Sequence, residues 1–118
     1  MKIYLICPVR NASFDSAGIV RQLEDGGHTV HFPPRDVDQS DPVGIDICNA
    51  HAKAMRECDA VGIVWDVDSK GSHFDLGMAF ILSKPVTLLK ALQPDVGGKS
   101  YLKVIKALSS DCICAGSG

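Results

Sequence analysis

The sequence predicts an α/β fold, a flavodoxin-like three-layer sandwich with a five-stranded, mainly parallel sheet in the order 2-1-3-4-5. Short apolar runs alternate with stretches of helical periodicity along the whole chain. Runs such as Ala60-Val61-Gly62-Ile63-Val64-Trp65 are apolar throughout, the signature of strands buried on both faces of a parallel sheet. The connections between them are long enough for right-handed crossovers, which parallel neighbours require. At 118 residues, with no repeat, linker or low-complexity segment, the chain reads as a single domain over residues 1–118.

Lys2 to Cys7 is a short apolar run ended by Pro8, the expected first strand. Ser13 or Asp15 offers a cap for a helix through Ile19, Val20 and Leu23, which Gly26-Gly27 stops. His28 to Phe32 alternates as a second, shorter strand ended by Pro33-Pro34, and Arg35 to Pro42 is expected to be loop. A helix follows from about Gly44 to Cys58, with Ile45, Cys48, Ala52 and Met55 as its expected buried stripe. The third strand is Ala60 to Asp66, and the next helix spans about Ser72 to Ser83 before Lys84-Pro85. Val86 to Leu89 is the fourth strand and Gln93 to Lys99 a loop. Ser100 to Leu108 reads as a helix and Asp111 to Ala115 as a fifth strand.

The formal charge of −2, from 12 basic and 14 acidic residues, gives no reason to expect nucleic acid or an anionic membrane as partner. No apolar run approaches the length that spans a bilayer. Five cysteines, an odd and scattered set with no signal peptide ahead of them, are expected to be reduced thiols in a cytoplasmic protein. Cys112-Ile-Cys114 lacks the Cys-x-x-Cys or nearby His of a zinc site, so no metal is expected. There is no Gly-x-Gly-x-x-Gly, phosphate-binding P-loop or Gly-x-Ser-x-Gly elbow, which demotes dinucleotide enzymes, NTPases and serine hydrolases. No cofactor is expected.

Ligands of open parallel sheets sit outside the strand C-terminal ends. Three loops should converge there, Pro8 to Ser13, Asp66 to Ser72 and Lys90 to Gly98, offering Arg10, Asn11, Ser13, Asp66, Asp68, Ser72, His73 and Asp75. A cation, several hydroxyls and up to three carboxylates suit a polar substrate bearing a sugar or phosphate. Asp75, expected in the first turn of its helix, would be kept ionised by the helix dipole for attack on an anomeric carbon. The same Ser72-x-x-Asp75 spacing is a capping box, in which the carboxylate merely satisfies a backbone N–H. Asp66 and Asp68 read as strand-ending turn residues or as partners that bind ribose hydroxyls and protonate a leaving base. Two carboxylates about 5 Å apart would fit a retaining displacement. Arg10 is placed to meet a phosphate, and Ser72 with the first-turn amides to hold one. Among four histidines, His73 has the strongest claim, because it lies beside Asp75; His51, in mid-helix, reads as a packed or surface residue. Trp65 and Phe74 flank the expected cleft, and Gly77 suggests close packing or close ligand approach.

These residues resemble the nucleoside 2-deoxyribosyltransferase superfamily, which includes the 2'-deoxynucleoside 5'-phosphate N-hydrolases. The likeness rests on Met1-Lys2-Ile3-Tyr4-Leu5 leading into Cys7-Pro8-Val9-Arg10, on Glu57-Cys58-Asp59-Ala60-Val61, and on Gly71 to Ala79 followed by Lys84-Pro85-Val86. The resemblance implies a flavodoxin-like fold and a homodimer or higher homo-oligomer with sites at subunit interfaces. It also implies a carboxylate nucleophile that forms a covalent glycosyl-enzyme. By position Asp75 would be that nucleophile, Ser72 and Arg10 would bind a 5'-phosphate, and Tyr4 would line the sugar pocket. The family residue is Glu where this chain has Asp75, and His51 stands near the place of a family aspartate in the preceding helix.

The leading expectation is cleavage or transfer of the N-glycosidic bond of a nucleoside or nucleoside 5'-monophosphate, with Asp66 or Asp68 assisting Asp75. The alternative is a nucleotide-binding or regulatory module of the same fold without the chemistry. A flavodoxin or response-regulator relative is a third, weakened by the absence of a Ser/Thr-rich flavin phosphate loop.

Overall fold

The computed structural model describes residues 1–8, 14–111 and 113. Along the chain come β1 (Lys2–Ile6), α1 (Ser16–Asp25), β2 (Thr29–His31), α2 (Pro33–Asp36), α3 (Ile45–Glu57), β3 (Ala60–Trp65), α4 (Lys70–Ile81), β4 (Val86–Ala91) and α5 (Tyr101–Leu108). All strand pairings are parallel, in the order β2-β1-β3-β4. All six residues of the central strand β3 are buried, as its unbroken apolar run requires. Helices cover both faces. Val20 and Leu23 of α1 pack on Ile3, Leu5, Val30 and Ala60. On the opposite face Met55, Leu76, Ala79, Leu102 and Ile105 bring α3, α4 and α5 onto Tyr4, Ile6, Val61, Ile63 and Trp65. This alternation of strand residues between two cores is the period-2 geometry of a pleated sheet.

The sheet of the described residues has four strands rather than the expected five. After α5 the described residues reach the edge of β4 and make an isolated parallel bridge there, Val86 with Ser109. Side chains replace the ladder there. Thr87 Oγ1 donates to the Ser110 carbonyl at 2.7 Å, and the Leu88 N–H donates to Ser109 Oγ at 2.8 Å. Local hydroxyl bonds of this kind compete with strand pairing. Most of the expected strand over Asp111 to Ala115, including Cys112 and Cys114, lies outside the described residues.

Three further differences have simple causes. Pro33 and Pro34 do not only end β2; they open the single turn α2, where a proline's missing N–H and fixed φ cost nothing. Its Asp36 carboxylate accepts the Phe32 N–H at 2.8 Å. In α3, Ile45 and Cys48 are exposed, and the inward stripe is instead Ile47, His51, Ala54, Met55 and Cys58. Helix α4 begins at Lys70, capped by Ser69, whose Oγ accepts the Ser72 N–H at 3.4 Å. No helix of the described residues is long and apolar enough to cross a membrane.

Candidate active site

Three elements bring polar groups to one buried carboxylate. In α4 the residues Ser72, Asp75, Leu76 and Ala79 share the inward face at helical spacing, and Asp75 is 5% exposed. Because Ser69 is the cap, Asp75 falls in the second turn, and the first turn holds no acidic residue. Neither the expected first-turn dipole position nor the capping box therefore describes it. Its oxygens meet side chains instead. Tyr4 Oη donates to Oδ2 at 3.0 Å, and His51 Nδ1 lies 3.1 Å from Oδ1. An ionised carboxylate only accepts, so the His51 hydrogen of this contact belongs on Nδ1.

Sheet register explains how these groups meet. Tyr4 pairs with His31 on one side and Val61 on the other, so all three project from the same sheet face. The Tyr4 and His31 rings lie 5.1 Å apart between centroids, and those of Tyr4 and His51 6.1 Å. Burial, then the charge of Asp75, pushes the Tyr4 phenol well above its ordinary range, so it stays a donor. Burial lowers the His31 imidazole and favours its neutral form.

Asp75 opens onto a cavity of about 310 Å³. Its walls are Cys7 after β1, Pro33, Pro34 and Gln39 after β2, His51 of α3, and Ser69, Gly71 and Ser72 at the start of α4. That is the C-terminal edge of the sheet beside β1 and β3, where the strand order reverses and open α/β sheets bind ligands. The volume is at the lower end of the range for small-molecule sites. Ser69 and Ser72 pair their hydroxyls at 2.8 Å along one wall. The Cys7 thiol is pushed up to about 12 by burial and then by Asp75, which keeps it protonated and unsuited to nucleophilic attack near neutrality.

Several expected residues lie elsewhere. Asp66 is buried, but its Oδ1 accepts the Asp68 N–H at 3.0 Å and Gln93 Nε2 at 2.9 Å, closing the turn after β3. Asp68 is exposed, and neither carboxylate lines the cavity. The loop after β4 thus braces that turn through Gln93, while the connection after β2 takes the place expected for it. His73 is two positions from Asp75 and so faces another way, since residues i and i+2 of a helix diverge. Its Nδ1 lies 2.7 Å from the Ser69 carbonyl oxygen, and its ring packs 4.7 Å from Trp65 and 5.4 Å from Tyr101. Tyr4 holds Asp75 from the core rather than forming a wall of the cavity. Trp65 is buried, which removes it as a stacking surface, while Phe74 is half exposed. A methyl group at Gly77 would meet open space, so close packing within this chain does not explain that glycine. Arg10, Asn11 and Ser13 lie outside the described residues.

His51 is the site residue that the sequence reading passed over. It stands four residues after Ile47 and four before Met55, both on the inward side of α3. A stripe through Ile45, Cys48, Ala52 and Met55 leaves His51 at its margin, whereas the helix is turned so that Ile47 and His51 lie inward and Ile45 and Cys48 are exposed. Among the described residues no group of three or more His, Cys, Asp or Glu side chains is placed to hold a metal ion.

The architecture is shared with solved enzymes. The chain aligns with the CMP N-glycosidase BcmB of Clostridium botulinum at a TM-score of 0.61 and 20% identity, over 92% of this chain and 83% of that one. It aligns with a 2-deoxyribosyltransferase of Bacillus psychrosaccharolyticus at a TM-score of 0.70 and 23% identity, over 92% of this chain and 82% of that one. Both are members of the nucleoside 2-deoxyribosyltransferase superfamily, whose motifs the sequence resembles, and at these identities the likeness is one of fold. No protein-family model and no curated protein sequence matches the chain.

Proposed function

We propose that the protein cleaves or transfers the N-glycosidic bond of a nucleoside or nucleoside 5'-monophosphate, with the Asp75 carboxylate as nucleophile. One observation carries this reading. A carboxylate held on both oxygens by Tyr4 and His51 lines a sugar-sized cavity at the ligand-binding edge of the sheet. Each carboxylate oxygen has two lone pairs, so both contacts leave capacity to attack an anomeric carbon. Fixing the carboxylate in advance lowers the entropy cost of reaching the transition state. The solved enzymes of the same fold, a CMP N-glycosidase and a 2-deoxyribosyltransferase, support the choice of bond. Ser69 and Ser72 are proposed to meet sugar or 5'-phosphate oxygens, with Arg10 as the cation for a phosphate. Asp66 and Asp68 have no part, since the turn occupies one and solvent the other. A homodimer or higher homo-oligomer in the cytoplasm, acting without metal or cofactor, completes the proposal.

The test is release of free base from a panel of ribo- and deoxyribonucleosides and their 5'-monophosphates, followed by chromatography. Wild type is expected to release base from at least one, and Asp75→Ala to lose about a thousandfold or more in rate. Absence of release by wild type, or equal release by Asp75→Ala, would end the reading. A thermal shift with nucleoside monophosphates and no base release would favour the binding-module alternative.

A further inference from the structure

We infer that Gln93 is a positioning residue: from outside the cavity its side-chain amide clamps the turn after β3, and so sets where the hydroxyls of Ser69 and Ser72 stand beside Asp75. That role rests on the reading of the two serines as contacts to sugar or 5'-phosphate oxygens of the substrate. The clamp has two arms of opposite sense. Gln93 Nε2 donates to Asp66 Oδ1 at 2.9 Å, and the Val67 N–H donates to Gln93 Oε1 at 3.0 Å. A flipped amide would set donor against donor and acceptor against acceptor, so one orientation alone serves. The backbone behind it is fixed as well, since the Leu92 N–H donates to the Trp65 carbonyl at 2.9 Å where β3 and β4 end. Val67 is exposed, where water serves a turn N–H nearly as well, and Asp66 Oδ1 already accepts the Asp68 N–H at 3.0 Å. What the glutamine adds to this turn is place rather than satisfaction.

Hydrogen bonds carry that placement from the turn to the cavity. The Ser69 N–H donates to the Asp66 carbonyl at 3.1 Å. Ser69 Oγ accepts the Ser72 N–H at 3.4 Å and pairs with Ser72 Oγ at 2.8 Å, while the Ser69 carbonyl oxygen lies 2.7 Å from His73 Nδ1. Ser69 and Ser72 wall the cavity together with Asp75, and Gln93 does not line it. Releasing the turn shifts the cap of α4 and both hydroxyls with it. Asp75 keeps Tyr4 and His51, so the attacking carboxylate stays in place. Serine contacts to oxygens that do not react are made equally in the bound substrate and the transition state, so their loss is read in KM rather than in kcat.

With the nucleoside or nucleotide that wild type cleaves best, Gln93→Ala is expected to raise KM about 10–100-fold and to leave kcat within about threefold. Gln93→Glu is the sharper variant. Its protonated acid has the shape of the amide, donating to Asp66 and accepting from Val67, whereas its carboxylate opposes that of Asp66. Beside Asp66 the acid form is favoured, so the clamp holds at low pH and is lost as pH rises through the titration of the shared proton. The KM of Gln93→Glu should therefore match wild type at about pH 5 and approach the Gln93→Ala value by about pH 8, each compared with wild type at the same pH. The other ionisable groups on the elements that meet at Gln93 are Asp68 in the turn and Asp95 in its own loop, the latter held by Lys103 and Lys106 of α5. Gln93→Ala keeps all of these, and its ratio to wild type should stay flat with pH. Ser72→Ala should raise KM too, and in the double variant the two rises should not multiply, because one acts through the other. A brace with no bearing on the site would lower the urea midpoint and leave KM in place. Unchanged KM in Gln93→Ala, rises that multiply, or a flat ratio in Gln93→Glu would overturn the role of Gln93. Where the alanine variant fails to fold, the ratio in Gln93→Glu decides. Should Ser72→Ala raise KM while Gln93→Ala does not, only the role of Gln93 falls; should Ser72→Ala leave KM unchanged, or wild type release no base, the underlying reading falls and takes that role with it.

Discussion

At the scale of single residues, the site is one buried carboxylate and its two side-chain partners, Tyr4 and His51. Tyr4 is fully buried, and its hydroxyl is spent on Asp75. Removing that hydroxyl leaves a buried carboxylate with one donor fewer, and hydrogen bonds to charged groups contribute about 1.5–3 kcal/mol. Tyr4→Phe should therefore lower the urea-unfolding free energy by about that amount with an unchanged m-value. The cysteines give a second test. Cys48 is exposed on α3, whereas Cys7 sits in the cavity with its thiol pushed up to about 12. Iodoacetamide near neutral pH should label Cys48 well before Cys7 in peptide mapping; the reverse order would contradict the half-buried, protonated thiol. Asp75 itself was legible in the sequence as a carboxylate near the start of the helix that follows the third strand. Its partners were not, because Tyr4 lies 71 residues away and His51 24 residues away, and only sheet register and helix rotation join them.

At the scale of elements, small shifts in helix phase decided which residues met. The segment Ser69-Lys70-Gly71-Ser72 holds two serines three apart, and either satisfies the local rule for a helix cap. The chain uses the first, with extended backbone at Ser69, and this moves Asp75 from the first turn to the second. Ser69→Ala should cost about 1 kcal/mol in thermal or urea unfolding. At Ser72, inside the first turn, the loss of cap energy should be absent. Gly77 lies within α4 with open space where a Cβ would stand. Gly77→Ala should raise stability by about 0.5–1 kcal/mol, and a decrease would mean that another molecule occupies that face. In α3 the apolar residues Ile45 and Cys48 imitated a buried stripe, while the real one carries a histidine that hydropathy alone ranks as surface. Periodicity found the helix; it could not find the rotation, because a polar residue turned inward lowers the very signal used to read the face.

At the scale of the molecule, the alternating strands and helices followed from the apolar runs and the crossover lengths, and the order of the first four strands is the one common to flavodoxin-like sheets. Among the described residues the edge of β4 carries no fifth strand, and there Ser109 and Thr87 offer hydroxyls where a ladder needs backbone, a choice that apolar patterning does not encode. The buried groups of the site also set how the whole fold responds to pH. Cys7 has its folded value raised above the ordinary 9.0, to about 12, and the Tyr4 phenol is raised as well. In both, the protonated form is the one the fold favours. Their contribution is therefore complete below about pH 9 and lost as pH climbs from there toward about 12. Urea midpoints should hold steady from neutrality to about pH 9 and then fall, with a shallower fall in Cys7→Ala. Covalent catalysis by Asp75 is tested by mass spectrometry of protein quenched during turnover of a substrate that it cleaves. A sugar attached to the peptide that carries Asp75, and absent from Asp75→Ala, is the expected result. Turnover with no sugar on that peptide, undiminished in Asp75→Ala, would contradict it.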